Sequence, residues 1–358
     1  MPNRRKGVEF RQQVHTRTMK ENEITPREWL RGLPKCELHL HLEGTIVPET
    51  LVQLSARNDA QPLTLDDACA LYVYEDFMGF LMAFKAVSER LQTPADYELI
   101  AYEMIHRLSE QGIRHAEVYI SVGIILRFKT QITVEEMMAA VERGRIRAEQ
   151  DFGTTVLWIF DAVRHFGPEE AAVVFTKAAR LKQQYPSIVG IGIGGDEARG
   201  PAADFKDLYA EARAAGLHLT VHAGENVPAQ SIWGAINIGA ERIGHALTAV
   251  DDPELLDILA EKQIPLELNI TSNLRTGCCK DMESHPVRHY FERGLMITLN
   301  SDDPPMFGAD LLDEYETVQR EFEFTNEHMR ELAANSVEAS FLSPARKIQL
   351  LAEVERYR

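Results

Sequence analysis

Cysteine is scarce in this chain: 4 among 358 residues, and two of those, Cys278 and Cys279, are adjacent. So few, so placed, form no disulfide framework, and a reducing cytoplasm is the expected compartment. Basic charge is short as well. Lys and Arg number 38 against 55 Asp and Glu, a formal net charge of −17. That balance argues against DNA or RNA, whose binding relies on neutralising phosphates with Lys and Arg. A small neutral or weakly charged molecule is the expected partner. No apolar run approaches the roughly 20 residues of a membrane-spanning helix, so no membrane association is expected. Met1 to Lys20 is basic and polar without an apolar stretch, unlike a secretory signal. Residues 1–25 read as a poorly ordered tail ahead of a single domain over 26–358. Nothing in the sequence marks an oligomeric state.

What is present is material for a core: 45% of the residues are apolar and 26% charged, as in a globular protein. From residue 94 onward, helix-patterned and strand-patterned segments alternate. Strands are predicted at 36–41, 115–122, 155–163, 188–194, 217–222, 242–245, 265–270 and 295–300. Helices precede the last seven, at 94–111, 133–151, 168–184, 202–215, 229–238, 253–262 and 285–293. Short helices at 26–33 and 48–58 flank the first strand, and two or three more close the chain. The strand cores are rich in Val, Ile and Leu, as parallel strands buried on both faces require. Eight such units describe a (β/α)8 TIM barrel with additional helices. A doubly wound open sheet shares this alternation, and the polar residues decide between the two. Strands one, five, six and eight all end in His or Asp, where such barrels build active sites. Strands one and eight become neighbours only if the sheet closes.

The segment 65–91 is helical but stands outside the alternation, with a dense aromatic set: Tyr72, Tyr74, Phe77, Phe80 and Phe84. It is expected either as a mobile flap over a pocket or as a helix packed on the barrel rim.

The chemistry opens with His39 and His41. Two histidines at i and i+2 on a strand share a face, about 7 Å apart, and can close on one metal ion. His222 from strand five and Asp302 from strand eight would complete a mixed nitrogen and oxygen set with room for one water. Neutral imidazoles and a carboxylate suit Zn2+, one per chain, although Fe2+ or Co2+ can use the same ligands. Glu225, three residues past His222, is a carboxyl group near the metal that can exchange protons with a substrate. It would otherwise cap the next helix. His245 ends strand six and can orient or deprotonate a metal-bound water. Asp303 follows a proposed ligand, so it points elsewhere and is free for substrate.

Five segments resemble those of the adenosine deaminase family, in family order: Glu37-Leu38-His39-Leu40-His41-Leu42-Glu43-Gly44, Gly194-Gly195-Asp196-Glu197, Thr220-Val221-His222-Ala223-Gly224-Glu225, Arg242-Ile243-Gly244-His245 and Leu299-Asn300-Ser301-Asp302-Asp303-Pro304. The resemblance implies a zinc-containing (β/α)8 barrel that hydrolyses the 6-amino group of a purine to a 6-oxo group and ammonia. It implies zinc held by His39, His41, His222 and Asp302, with His245 assisting the hydroxide. Glu225 would protonate purine N1, Asp303 would bond N7, and the Gly195 N–H would reach N3. Glu43 stands where the family's adenosine enzymes usually carry an Asp associated with the ribose 5′-hydroxyl. His41-x-Glu43-Gly44-Thr45 looks more like its adenine deaminases, whereas Gly194-Gly195-Asp196-Glu197 looks like the nucleoside branch. Thr271-Ser272-Asn273-Leu274-Arg275-Thr276-Gly277 resembles divergent bacterial members, including those acting on 6-aminodeoxyfutalosine. The expected substrate is therefore a purine nucleoside, adenosine or a 5′-modified adenosine, with adenine as the alternative.

Other chemistries fit less well. Gly190-x-Gly192-x-x-Gly195 matches a dinucleotide fingerprint, but an acidic pair follows where a helix should begin. A cytidine-type deaminase needs Pro-Cys-x-x-Cys, and Cys278-Cys279 lacks that spacing. Other hydrolases on this barrel often use a carboxylated Lys, and no strand end offers one. A non-catalytic barrel would have lost a ligand or Glu225, and none is missing.

Overall fold

The computed structural model describes residues 24–129 and 131–358. Eight parallel strands run in chain order around one sheet: β1 (Lys35–His41), β2 (Ile113–Ile120), β3 (Thr155–Val163), β4 (Ile188–Gly194), β5 (His218–Ala223), β6 (Arg242–His245), β7 (Leu266–Leu268) and β8 (Ile297–Leu299). The sheet closes at the β1–β8 seam. There His41 N–H donates to the Asp302 carbonyl at 3.0 Å and Asp302 N–H to the His39 carbonyl at 3.1 Å. The (β/α)8 barrel is thus the fold, and the open sheet is excluded.

A helix precedes each of β2 to β8, and capping chemistry starts several of them. Thr93 and Asp96 form a capping box before Pro94–Glu110, and Thr133 and Glu136 another before Val134–Phe152. Each box satisfies amide groups that the first helical turn leaves without partners. Three helices close the chain: Leu311–Glu321, Asn326–Ala339 and Pro344–Arg356. No described helix is long and apolar enough to cross a membrane. All four cysteines are free thiols. The tail expected over 1–25 lies outside the described residues, apart from Ile24 and Thr25. Thr25 caps the helix Pro26–Gly32.

Three expectations are corrected. The segment 65–91 is two helices, Leu65–Ala70 and Phe77–Ser88, because Asp76 starts the second by accepting the Gly79 N–H at 2.7 Å. The second strand stops at Ile120, and a helix not foreseen, Val122–Phe128, follows. The seventh stops at Leu268, and Ile270–Arg275 is helical.

The barrel interior is polar near its axis. Arg242 pairs with Glu117, and its Nε lies 2.6 Å from Glu267 Oε1; all three are buried. The Phe341 ring lies under this guanidinium, 3.9 Å from ring centroid to Cζ.

Candidate active site

His39 and His41 end β1, His222 lies on β5, and Asp302 follows β8 at the seam. Closure of the barrel brings all four together. His41 Nε2 is 3.3 Å from His222 Nε2 and 3.3 Å from Asp302 Oδ1, and His39 Nε2 is 3.6 Å from the same oxygen. Ligands bound about 2.0–2.2 Å from one ion at tetrahedral angles lie roughly 3.3–3.6 Å from one another. The observed separations therefore have the span of a coordination shell.

The surroundings fix where each lone pair points. Glu267 Oε2 takes the His39 Nδ1–H at 2.8 Å, and the Ile193 carbonyl takes the His222 Nδ1–H at 3.1 Å. Each ring is left presenting Nε2, and His39 Nε2 is buried without a hydrogen-bond partner among the described residues. Ser272 Oγ donates to Asp302 Oδ2 at 2.7 Å, leaving Oδ1 for the cluster. Such outer partners are what orient metal ligands. Burial lowers His41 to about 4 and His222 well below the usual imidazole value, so both are neutral. Burial also opposes charge on His39, but the neighbouring Asp302 and Glu267 carboxylates outweigh it and raise the ring to about 10. That negative field is what a divalent cation would neutralise in the proton's place. The residues present thus fit a divalent metal.

Asp302 has φ +63 and His245 φ +63, in the left-handed region that non-glycine residues seldom adopt. The two seam bonds hold Asp302 there. Such strain collects at functional sites.

Glu225 is buried beside the cluster, 3.8 Å from His245 Nε2. Burial, and then the Asp302 carboxylate, raise its pKa well above the usual value. Glu197 holds the loop carrying it, accepting Gly224 N–H at 2.7 Å and Glu225 N–H at 3.1 Å. Asp303 is likewise buried with its pKa raised, first by burial and then by Asp302. Gly44 makes room for it, since a Cβ there would fall 1.6 Å from Asp303 Oδ1. Gly195 lines the cavity with φ +88.

The proton on His245 can be placed. The Val287 backbone N–H donates to His285 Nδ1 at 3.3 Å, so the His285 proton sits on Nε2. That proton faces Asn273 Oδ1 at 3.4 Å, and Asn273 Nδ2 in turn donates to His245 Nδ1 at 3.1 Å. His245 Nδ1 is an acceptor, and its N–H is on Nε2, toward Glu225.

Glu43, whose charge acts on Asp303, does not line the cavity. Its carboxylate accepts the Ser121 N–H at 3.2 Å from behind the cavity wall. Burial raises it to about 7.

The cavity, of about 290 Å³, is lined at its base by His41, Asp161, Gly195, His222, Glu225, His245, Asp302 and Asp303. Its outer wall is apolar: Phe77, Phe80, Leu81, Phe128, Phe166 and the exposed Met78 and Met82. Sequence reasoning missed Asp161 and Glu267, and gave no role to Arg242, although it stands in one of the family-like segments. Each was visible as a charged residue within an apolar strand.

Comparison with known proteins agrees with this geometry. The adenosine deaminase family profile matches residues 34–357. An aminodeoxyfutalosine deaminase of Streptomyces avermitilis is 38% identical over 92% of this chain and 92% of its own. An adenine deaminase structure from Arthrobacter aurescens superposes with TM-score 0.85 at 32% identity, covering 91% of this chain and 99% of its own. An amidohydrolase from Burkholderia ambifaria with bound zinc gives TM-score 0.85 at 30% identity, covering 93% of each chain. The chain belongs to the adenosine deaminase family.

Proposed function

We propose that the chain hydrolyses the 6-amino group of a purine nucleoside, releasing ammonia and the 6-oxo purine. A 5′-modified adenosine such as aminodeoxyfutalosine is the substrate, and one zinc ion is held by His39, His41, His222 and Asp302. The observation that carries this reading is the pair of buried carboxyl groups with raised pKa, Glu225 and Asp303, on two sides of one cluster of metal-ligating residues. Adenine presents three proton-free ring nitrogens, N1, N3 and N7. Two protonated carboxyls and the Gly195 N–H are three donors for three acceptors.

When bound, a zinc ion lowers the pKa of a coordinated water from about 15.7 toward 7. The chain's own groups do the rest. Glu225 gives its proton to N1, which draws electrons from C6 and opens it to attack. The His245 Nε2–H faces the same space and stabilises negative charge developing on the attacking oxygen. Asp303 holds N7 and so fixes the plane of the ring. The apolar outer wall keeps bulk water away.

The apolar outer wall supports a substrate larger than the base, since it offers surface for the group carried at N9. Adenine is the second reading, favoured by Glu43-Gly44-Thr45 and by the likeness to the adenine deaminase. A reducing cytoplasm is the compartment that suits four free thiols. The deciding experiment compares kcat/KM for adenine, adenosine, 5′-deoxyadenosine and aminodeoxyfutalosine by the fall in ultraviolet absorbance. The nucleoside reading expects the last to rank first, and adenine in first place overturns it.

A further inference from the structure

Around a purine ring from N1, the nitrogens follow in the order N3, N9, N7. Around the barrel from β5, the strands follow in the order β4, β3, β2, β1 and, across the seam, β8. With N1 at Glu225 after β5, N3 at Gly195 after β4 and N7 at Asp303 after β8, the two circuits coincide. N9 and whatever it carries then face the arc β3–β2–β1. This placement rests on the purine reading above.

Five polar residues of that arc line the cavity, His41, Lys85, Ser121, Asp161 and His165, and Lys85 pairs with Glu89 at 2.6 Å. His41 belongs to the metal cluster, the Ser121 N–H is taken by Glu43, and His165 Nδ1 accepts the Asp196 N–H at 3.1 Å. Asp161 is different. It is 5% exposed, and its Oδ1 is sealed with no hydrogen-bond partner among the described residues. A buried carboxyl oxygen left unpaired is costly, and interiors seldom tolerate one without a purpose.

Two glycines of β4 leave room for this carboxyl together with Thr220, Tyr119 and His222. A Cβ at Gly192 would lie 3.1 Å from Asp161 Oδ1, and one at Gly194 would lie 3.2 Å from Oδ2. Two alternate residues of β4 lack side chains where this carboxyl lies. Burial raises Asp161 to about 8, so near neutral pH it keeps a proton and can both donate and accept, as a hydroxyl does.

We propose that Asp161 is a specificity-determining residue that hydrogen-bonds a hydroxyl of the sugar carried at purine N9. The contact is made by a strand residue on the cavity floor, in place of the Glu43 carboxylate that faces β2.

The test crosses variants with analogues. Steady-state kcat/KM is measured for the wild type and Asp161→Ala on the nucleoside turned over fastest, on its monodeoxy analogues and on adenine. Loss of one hydroxyl should lower wild-type kcat/KM at least about 10-fold, because the site's own polar group is left unpaired. The same loss should cost Asp161→Ala less than about threefold, the mark of a coupled pair. Asp161→Asn, which keeps a donor and an acceptor, should retain the discrimination. If Asp161→Ala fails to fold, Asp161→Val fills the volume without polar atoms and carries the same comparison. Equal losses for every analogue in wild type and variant overturn the Asp161 contact and leave purine deamination standing. A wild type faster on adenine than on any nucleoside, or inactive on all of them, overturns the reading beneath it.

Discussion

Asn273 and His245 meet with a defined polarity: the amide donates and the ring nitrogen accepts, at 3.1 Å. The polarity originates in a backbone N–H, that of Val287, which no rotation or flip can reverse. Asn273→Asp would place an acceptor against Nδ1, draw the ring proton there and turn a lone pair toward the cavity. We expect kcat to fall about 10²–10³-fold, the usual cost of removing one such donor, with KM little changed. Near-normal kcat in a variant that keeps its metal would show that the tautomer is immaterial.

The metal cluster predicts a graded response. His39→Ala should lose the ion and the activity together, measured as metal per chain after dialysis. Glu267→Gln keeps all the ligands but weakens the hold on His39 Nδ1. Its metal affinity should fall about 10–100-fold, read by competition with a chelator. Full turnover by a verified metal-free preparation would sink the assignment.

Glu225→Gln preserves shape and removes the titratable proton. The variant should bind metal normally and lose about 10²–10⁴-fold in kcat. Retained turnover would return Glu225 to a structural role on its loop.

The helix Phe77–Ser88 sets Phe80 against Phe307 at 4.9 Å between ring centroids, while Met78 and Met82 stay exposed above the cavity. A closing element drawn from such a half-anchored helix should show slower amide exchange when a transition-state analogue fills the site. Unchanged exchange would make it a fixed rim.

Arg242 is held between Glu117 and Glu267 with none of the three accessible to water. Arg242→Ala would leave two carboxylates facing each other, costing about 3–5 kcal/mol in a denaturant titration. Arg242→Ala combined with Glu117→Gln should recover part of that loss.

Much of the barrel was legible because buried parallel strands carry dense aliphatic runs, and β3, β4 and β6 have the predicted ends. Ladder ends were harder, since side chains decide them. The Asn300 side-chain oxygen accepts the Leu38 and His39 amides at 2.8 and 3.1 Å, and β8 stops at Leu299. Glu43 takes the Ser121 amide, and β2 stops at Ile120. The same contact explains why Glu43 does not line the cavity: its direction depends on a 3-10 turn, Glu43–Thr45, that spacing does not encode. His39, His41, His222 and Asp302 could be read because strand ends of a closed barrel converge whatever the loops do. Asp161 could not, because its meaning depends on the glycines of the neighbouring strand.

His39, Glu267, Arg242 and Phe341 form one column, from the metal cluster down the barrel axis to the segment between the last two helices. A designer copying only the four ligands onto another barrel would inherit an aliphatic floor beneath them. The imidazole would then have no carboxylate to orient it, and a carboxylate added alone would have no guanidinium to pair with. The portable unit is the whole column, including an aromatic ring at the opposite end of the molecule from the chemistry.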